Sequence, residues 1–309
     1  MSTIKEYREF YEVKIAPMIH EKFPEYEKRI AVGLVGEGSE CFGYDDWISR
    51  DHDFGKSVCL WLTDEDYDKI GQPLAASYRR LVESADGSRL SFRRGVQKIR
   101  DFYTNLLGFD VDPKSPELSL AQWFYTEDWK FATAVNGEVF RDDLGEFSAI
   151  RTLLENYYPE RIWRMKLIEA LHGFSGSAQA NYPRCMARGD KVAAAICVRK
   201  GIEHAMAIAF LLKRTYAPYY KWTFRALKDI WNGPESDNLI SLLEELTFAG
   251  WQGAAWEGYT YDPRTINPDD KISELVEKIA VILAREMMRA GLTDHIEPFL
   301  EVYCAELNR

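Results

Sequence analysis

The sequence predicts an α+β protein with a mixed sheet in the N-terminal half and an α-helical bundle in the C-terminal half. Short apolar runs bounded by turn residues, which are typical of strands, fall before about residue 150. After that point apolar residues recur at helical spacing. The chain has 309 residues, enough for two domains of ordinary size. We therefore expect one domain over residues 1–150 and a second over residues 151–309.

The first half alternates strand and helix signals. Ala31–Val35 is a short apolar run that ends in Gly-Glu-Gly-Ser, which predicts a strand followed by a tight turn. Ser57–Leu62 is a second apolar run and predicts a second strand. The other elements expected in this half are an opening helix from about residue 4 and helices over 64–83 and 95–107.

Asn136-Gly137 stands between two apolar runs, 129–135 and 138–140. An Asn-Gly pair in that position is typical of a tight β-hairpin. The alternative is a helix that stops at Gly137 and a strand that follows it. We favour the second interpretation.

Helical periodicity dominates the second half. Apolar residues fall at i, i+3, i+4, i+7 and i+8 in Ile202, Ala205, Met206, Ala209 and Phe210, and Ile272, Leu275, Val276, Ile279 and Leu283 repeat a similar pattern. The segment 248–270 is rich in Gly, Trp, Tyr and Pro and predicts a long ordered loop. Such a loop serves either as a lid or pocket wall or merely as packing.

The composition restricts the class of protein. A net charge of −10 repels polyanions at long range, which disfavours nucleic acid as a partner but allows a local basic pocket for one triphosphate. No run approaches the ~18 apolar residues of a membrane span, and residues 1–22 lack the apolar core of a signal peptide. Five scattered cysteines without a CxxC pair indicate neither a disulfide framework nor a zinc site. We expect a cytoplasmic protein without a membrane partner, and its oligomeric state stays open.

The most informative stretch follows the first predicted strand. Glycines let a backbone approach phosphate closely, successive N–H groups can form an anion-binding nest, and Ser39 after Gly38 adds a hydroxyl donor. Asp51 and Asp53 lie two residues apart, so on an extended strand both carboxylates face the same side. Two carboxylates on one face suit Mg²⁺, or Mn²⁺, shared with substrate phosphates. The pattern predicts a phosphoryl-type transfer site.

Gly38-Ser39 and Asp51-His52-Asp53 resemble the motif of the nucleotidyltransferase superfamily, which has the DNA polymerase beta-like fold. That motif is an apolar residue, Gly, Gly or Ser, roughly a dozen residues, then Asp-x-Asp or Asp-x-Glu. Glu37 departs from it, since an apolar residue is usual there. The sequence around this motif resembles a little-characterised bacterial branch of the superfamily. The similarity extends to four later segments, Gly137–Asp142, Tyr157–Pro159, Arg188–Asp190 and Tyr216–Trp222.

The resemblance implies a third carboxylate on a neighbouring strand, which binds metal or acts as a base towards the acceptor. Asp142, just after Val139-Phe140, is the candidate, and Asp143 is the close competitor. Together with Asp51 and Asp53, Asp142 would complete the catalytic set.

Further nucleotide contacts are expected from the second domain. Lys221 and Arg188 would contact phosphates, and Tyr220 would stack on a base. Their alternatives are surface charges and interdomain packing.

The architecture implied is that of the two-domain antibiotic nucleotidyltransferases, such as the kanamycin enzyme, with a cleft between the domains. We expect Mg²⁺-dependent transfer of a nucleoside monophosphate from a nucleoside triphosphate to a hydroxyl of a small molecule, with release of pyrophosphate. The alternatives are a nucleotidyltransferase that modifies a protein or tRNA, and a non-catalytic nucleotide-binding regulatory protein.

Overall fold

The computed structural model describes residues 3–46, 48, 57–84, 93–232 and 234–308. The chain divides into two compact units, Met1–Tyr157 and Tyr158–Arg309. Within the described residues, no helix has the length and apolar character needed to cross a membrane. The predicted α+β class is confirmed at the level of a helix-rich chain with one small mixed sheet.

The first unit contains the four-stranded sheet. Its strands are β1 (Ala31–Leu34), β2 (Cys59–Leu62), β3 (Gly95–Lys98) and β4 (Glu138–Arg141), in the order β3-β2-β1-β4. β1 runs antiparallel to both β2 and β4, whereas β2 and β3 are parallel. The C-terminal end of β1 therefore meets the N-terminal ends of β2 and β4 at one edge of the sheet.

The central strands are buried on both faces. Leu34 and Leu60 belong to a cluster with helix residues such as Ile15 and Ile19. Trp61 points to the opposite face, since side chains alternate along a strand. There its ring stacks on Phe147 with centroids 3.9 Å apart.

Seven α-helices of the first unit surround this sheet. They are α1 (Thr3–Phe10), α2 (Ala16–Lys22), α3 (Asp64–Ser84), α4 (Ile99–Leu107), α5 (Leu120–Tyr125), α6 (Asp128–Ala134) and α7 (Glu146–Glu155), as far as the described residues show. A π-helical turn, Tyr11–Ile15, joins α1 to α2.

The structure decides two details of the sequence prediction. The helix predicted over 95–107 is wrong for its first four residues, because they pair in parallel with β2 and form β3. At Asn136-Gly137 the favoured interpretation is confirmed, since α6 ends at Ala134 and β4 begins at Glu138. The alternative hairpin is wrong because β4 pairs with β1 rather than with the segment before the turn.

The second unit is helical in all its described elements. They are α8 (Glu160–Phe174), α9 (Tyr182–Ala187), α10 (Lys191–Leu212), α11 (Tyr220–Ile230), α12 (Pro234–Phe248), α13 (Gly253–Trp256), α14 (Lys271–Arg289) and α15 (Val302–Leu307), with a π-helical segment over Ser175–Asn181. The two predicted apolar periods lie on α10 and α14. The predicted loop over 248–270 holds the one-turn helix α13 and ends at Asp270, whose carboxylate caps α14 through Ser273 N at 3.0 Å.

Candidate active site

A glycine turn follows β1 at the sheet edge where β2 and β4 begin. Gly36 and Gly38 have φ values of 110° and 123°, which L side chains rarely adopt. A Cβ on Gly38 would stand 2.4 Å from a carboxylate oxygen of Glu40. Ser39 then opens a 3-10 helix over Ser39–Phe42. These glycines allow the chain to turn sharply and present Ser39 at the edge of the sheet.

Asn136 anchors this turn from the side of β4. Its amide oxygen accepts from Gly36 N at 2.9 Å, and its amide nitrogen donates to Gly36 O at 2.8 Å. Gly137 N donates to Cys41 O at 2.8 Å, just beyond the turn. The Asn136-Gly137 pair therefore holds the glycine turn in place, a role that its sequence pattern does not predict.

Arg94 anchors the same turn from the side of β3. Its guanidinium donates to Val35 O at 3.4 Å and to Glu37 O at 2.8 Å. It also donates to the Glu40 carboxylate at 2.7 Å and lies 3.0 Å from Cys41 Sγ. The side chain is 3% exposed, so the ion pair with Glu40 is shielded from water.

The charge around Arg94 is balanced by Glu40. Burial raises the pKa of the Cys41 thiol to about 12, so at neutral pH the thiol is uncharged. Glu40 is then the negative partner of the guanidinium, and the ion pair fixes the 3-10 helix that begins at Ser39.

Arg94→Gln is expected to lower the free energy of unfolding by about 3 kcal/mol, because it leaves the largely buried Glu40 without its cation. The neighbouring Arg93 provides the matched control. Its ion pair with Glu37 has side chains 36% and 53% exposed, so Arg93→Gln should cost no more than about 1 kcal/mol. Urea unfolding of both variants measures the difference, and equal losses would mean that Arg94 is not the anchor.

The turn carries several hydrogen-bond donors. The backbone N–H groups of Gly38, Ser39 and Glu40 and the Ser39 hydroxyl form no hydrogen bond with another described residue. Successive free N–H groups together with a hydroxyl can bind phosphate oxygens. The chemistry of the turn thus suits an anion.

The predicted metal pair, Asp51 and Asp53, lies outside the described residues. Cys59 on β2 pairs with Gly33 on β1, so the chain enters β2 at the sheet edge that carries the glycine turn. The segment with the two aspartates leads into that same strand. Their oxygens are the hard donors that Mg²⁺ prefers. Among the described residues, no group of three His, Cys, Asp or Glu side chains could hold a metal.

Asp142, the predicted third carboxylate, lies at the other end of β4. Because β4 runs antiparallel to β1, Glu138 is opposite Leu34, and Asp142 follows about 13 Å farther along at the usual rise per residue. Its carboxylate accepts from Gly145 N at 3.1 Å and from Ser148 N at 2.8 Å, and so caps the start of α7. Asp142 therefore lies at the end of β4 that is away from the glycine turn. Asp143 pairs with Arg141 at the same end.

Glu138 is a carboxylate at the end of the sheet that carries the glycine turn, and it is not among the residues predicted from the sequence. It opens β4 opposite Leu34, directly after the Asn136-Gly137 pair that holds the turn. Its side chain is 41% exposed and forms an ion pair with Arg8. The sequence feature that points to Glu138 is its position as the first residue of the strand after Asn136-Gly137.

Comparison with known proteins gives one match. Residues 123–223 match the family model of a domain of unknown function, DUF4037. The match covers about a third of the chain and includes Glu138 and Asp142 but not Gly38-Ser39. No curated protein and no solved structure matches the chain.

The remaining predicted nucleotide contacts belong to the second unit. Tyr220 and Lys221 begin α11, with Tyr220 77% exposed and the Lys221 ammonium 5.1 Å from the ring centroid of Trp222. Arg188 is exposed just after α9, where its backbone N–H donates to Cys185 O at 3.2 Å. Their roles in nucleotide binding stay predictions.

Proposed function

We propose that the chain is a Mg²⁺-dependent nucleotidyltransferase that moves a nucleoside monophosphate from a nucleoside triphosphate to a hydroxyl of a small molecule. One observation carries the proposal. The turn with Gly38-Ser39 is fixed from both sides by Asn136 and Arg94, at the sheet edge where the chain enters β2 after Asp51 and Asp53. N–H donors in a turn that is held from both sides, with a carboxylate pair in the sequence that leads into β2, fit the demands of triphosphate chemistry.

In this proposal the turn binds the phosphates through its N–H groups and the Ser39 hydroxyl. Asp51 and Asp53 would hold Mg²⁺, which when bound neutralises charge on the phosphate oxygens. The acceptor oxygen forms a bond to the α-phosphorus while the bond from that phosphorus to the bridging oxygen breaks. Pyrophosphate leaves with the bond electrons, and the hydroxyl proton passes to a carboxylate of the chain.

We assign the third carboxylate to Glu138 rather than to Asp142. Glu138→Gln should reduce turnover about 100-fold, the usual contribution of a positioned proton acceptor. Asp142→Asn should leave turnover per folded molecule unchanged, because asparagine accepts the same N–H bonds at the start of α7. Initial rates of pyrophosphate release compare the two isosteric variants. The reverse ranking would return the role to Asp142.

Nucleotide binding is expected to require a divalent cation, because Asp51 and Asp53 would otherwise repel a triphosphate. Calorimetric titration with ATP and GTP, in Mg²⁺ and in EDTA, measures this requirement. Ser39→Ala should weaken binding in Mg²⁺ about tenfold, since one hydrogen bond to a charged phosphate is lost. Equal affinity in EDTA and in Mg²⁺ would contradict the site.

The acceptor decides between the proposal and its alternatives. Incubation with α-labelled ATP and a cell lysate, resolved by size, places the label on a small molecule, a protein or RNA. Label on a small molecule supports the proposal, and label on a macromolecule supports modification of a protein or tRNA. Triphosphate binding without any labelled product supports a regulatory role.

A further inference from the structure

Positive charge is concentrated in one part of this acidic chain. Residues 184–228 contain ten lysines and arginines but only two acidic residues, Asp190 and Glu203. The rest of the chain therefore carries more than the whole negative excess. The ten cations are Arg184, Arg188, Lys191, Arg199, Lys200, Lys213, Arg214, Lys221, Arg225 and Lys228.

Three of these cations form a row on α11. Lys221, Arg225 and Lys228 are spaced i, i+4 and i+7, which places them on one face of a helix. All three are exposed. Lys228 forms an ion pair with Glu244 on α12 at 2.6 Å, and Arg225 also has a partner. Lys221 forms no ion pair with a described residue.

Aromatic side chains alternate with the cations along α11. Trp222 lies under Lys221 and Arg225, at 5.1 and 5.7 Å from its ring centroid. Phe224 lies 4.5 Å from the Lys228 ammonium. Tyr220 is 77% exposed at the start of the helix. Cations held over aromatic rings, next to an exposed ring, make a surface that offers both charge and stacking.

An apolar cavity lies beside this row. It has a volume of about 750 Å³, and its walls include Ile202, Met206, Phe224, Leu243 and Phe248. Phe224 thus belongs both to the cavity wall and to the aromatic row. A cavity of this size can take up an unstacked nucleobase.

We propose that the row on α11, from Tyr220 to Lys228, binds unpaired RNA. Phosphates of the strand contact Lys221 and Arg225, and a base stacks on Tyr220. Backbone contacts by cations and stacking of bases on aromatic rings are the two devices by which proteins bind single strands. The net charge of the whole chain slows association at long range, but contacts at close range depend on the local charge. This proposal does not rest on the proposed transferase activity.

Two other partners would use part of this surface. An acidic peptide would need the cations but would gain less from an exposed ring that stacks on planar bases. A single triphosphate, the role predicted for Lys221 and Tyr220 from the sequence, would need no row of cations along two turns of helix. The combination of row, ring and cavity favours RNA.

The test is fluorescence anisotropy with a labelled 12-nucleotide RNA of mixed sequence without internal pairing, titrated with the full chain. Lys221→Glu/Arg225→Glu should weaken binding about 30-fold and make the slope of log K against log salt less negative by about 1.4, for two lost phosphate contacts. Tyr220→Ala should weaken binding about tenfold, and Tyr220→Phe should not.

A matched control carries the same charge change elsewhere. Lys278 and Arg289 lie on α14 with side chains 53% exposed, so Lys278→Glu/Arg289→Glu should keep the affinity within about threefold. Circular dichroism verifies that every variant is folded. Absence of binding by the wild type, equal losses in the two double variants, or full competition by polyglutamate would overturn the proposal. So would a Lys221→Ala variant that loses affinity for ATP but not for RNA.

Discussion

Asp53→Asn is expected to reduce nucleotidyl transfer by about 10³-fold or more while the protein stays folded. Asparagine has almost the same shape as aspartate, so packing is preserved. It lacks the charge that, in the proposed site, would hold Mg²⁺ against the charge that develops on the phosphates. The loss should appear in turnover rather than in the amount of folded protein.

The same variant should have an unchanged or higher melting temperature without metal. In the proposed site the carboxylates of Asp51 and Asp53 would repel each other when no cation lies between them, and the substitution removes one of them. Turnover and melting curves without metal, measured on the same preparation, separate a metal ligand from a structural aspartate. A variant that melts several degrees lower but turns over normally per folded molecule would contradict the assignment of Asp53.

A control for the chemical change is available on α3. Asp68 is 73% exposed and pairs with Lys98 at 3.3 Å, so Asp68→Asn removes a surface charge from the same unit with little cost. Its turnover should equal that of the wild type. A similar loss in both variants would mean that turnover follows overall charge and not the motif.

The sequence predicts local elements of this chain better than their partners. The apolar run at Ala31–Leu34 and the helix from Asp64 were foreseen because each has a clear period and clear turn residues at its ends. The sequence predicts a helix over Gly95–Lys98, whereas the structure has a strand there. The contacts that make it a strand are its parallel pairs with β2, and each pair joins residues 36 positions apart in the sequence. No local pattern reports such a contact.

The candidate site likewise combines local features that the sequence predicts with contacts that it does not predict. Gly38-Ser39 can be identified from the local sequence, because a glycine turn directly after an apolar strand is a local feature. The proposal of Glu138 in place of Asp142 depends on the direction of β4, which follows from the pairing of Leu34 with Glu138 and not from any local pattern. Arg94 gave no signal, since a buried arginine that binds backbone carbonyls looks like any surface arginine in a sequence.

Gly137→Ala is expected to have the largest effect on stability. Gly137 has φ of 61°, and a Cβ there would lie 1.9 Å from Leu34 O and 2.9 Å from Leu34 C, both backbone atoms. Neither atom can yield without separating β1 from the start of β4. We expect the free energy of unfolding to fall by about 4 kcal/mol, from backbone strain together with the forced displacement.

Gly145→Ala is the matched control for the backbone conformation. Gly145 has φ of 76°, but a Cβ there would meet nothing within 4 Å. The control therefore isolates the cost of a left-handed alanine, about 1 kcal/mol. Urea unfolding followed by circular dichroism measures both variants, and the difference between them is the cost of the contact with Leu34.

Gly137→Ala should also weaken nucleotide binding, because Gly137 N donates to Cys41 O and Asn136 holds both polar groups of Gly36. A displaced Asn136-Gly137 pair releases the turn that presents Ser39. Titration with ATP and Mg²⁺ at a temperature where the variant is fully folded measures this loss, and Gly145→Ala should bind as the wild type does. Equal affinity in the two variants would show that the turn holds its shape without Asn136-Gly137, and Arg94 would then be its main anchor.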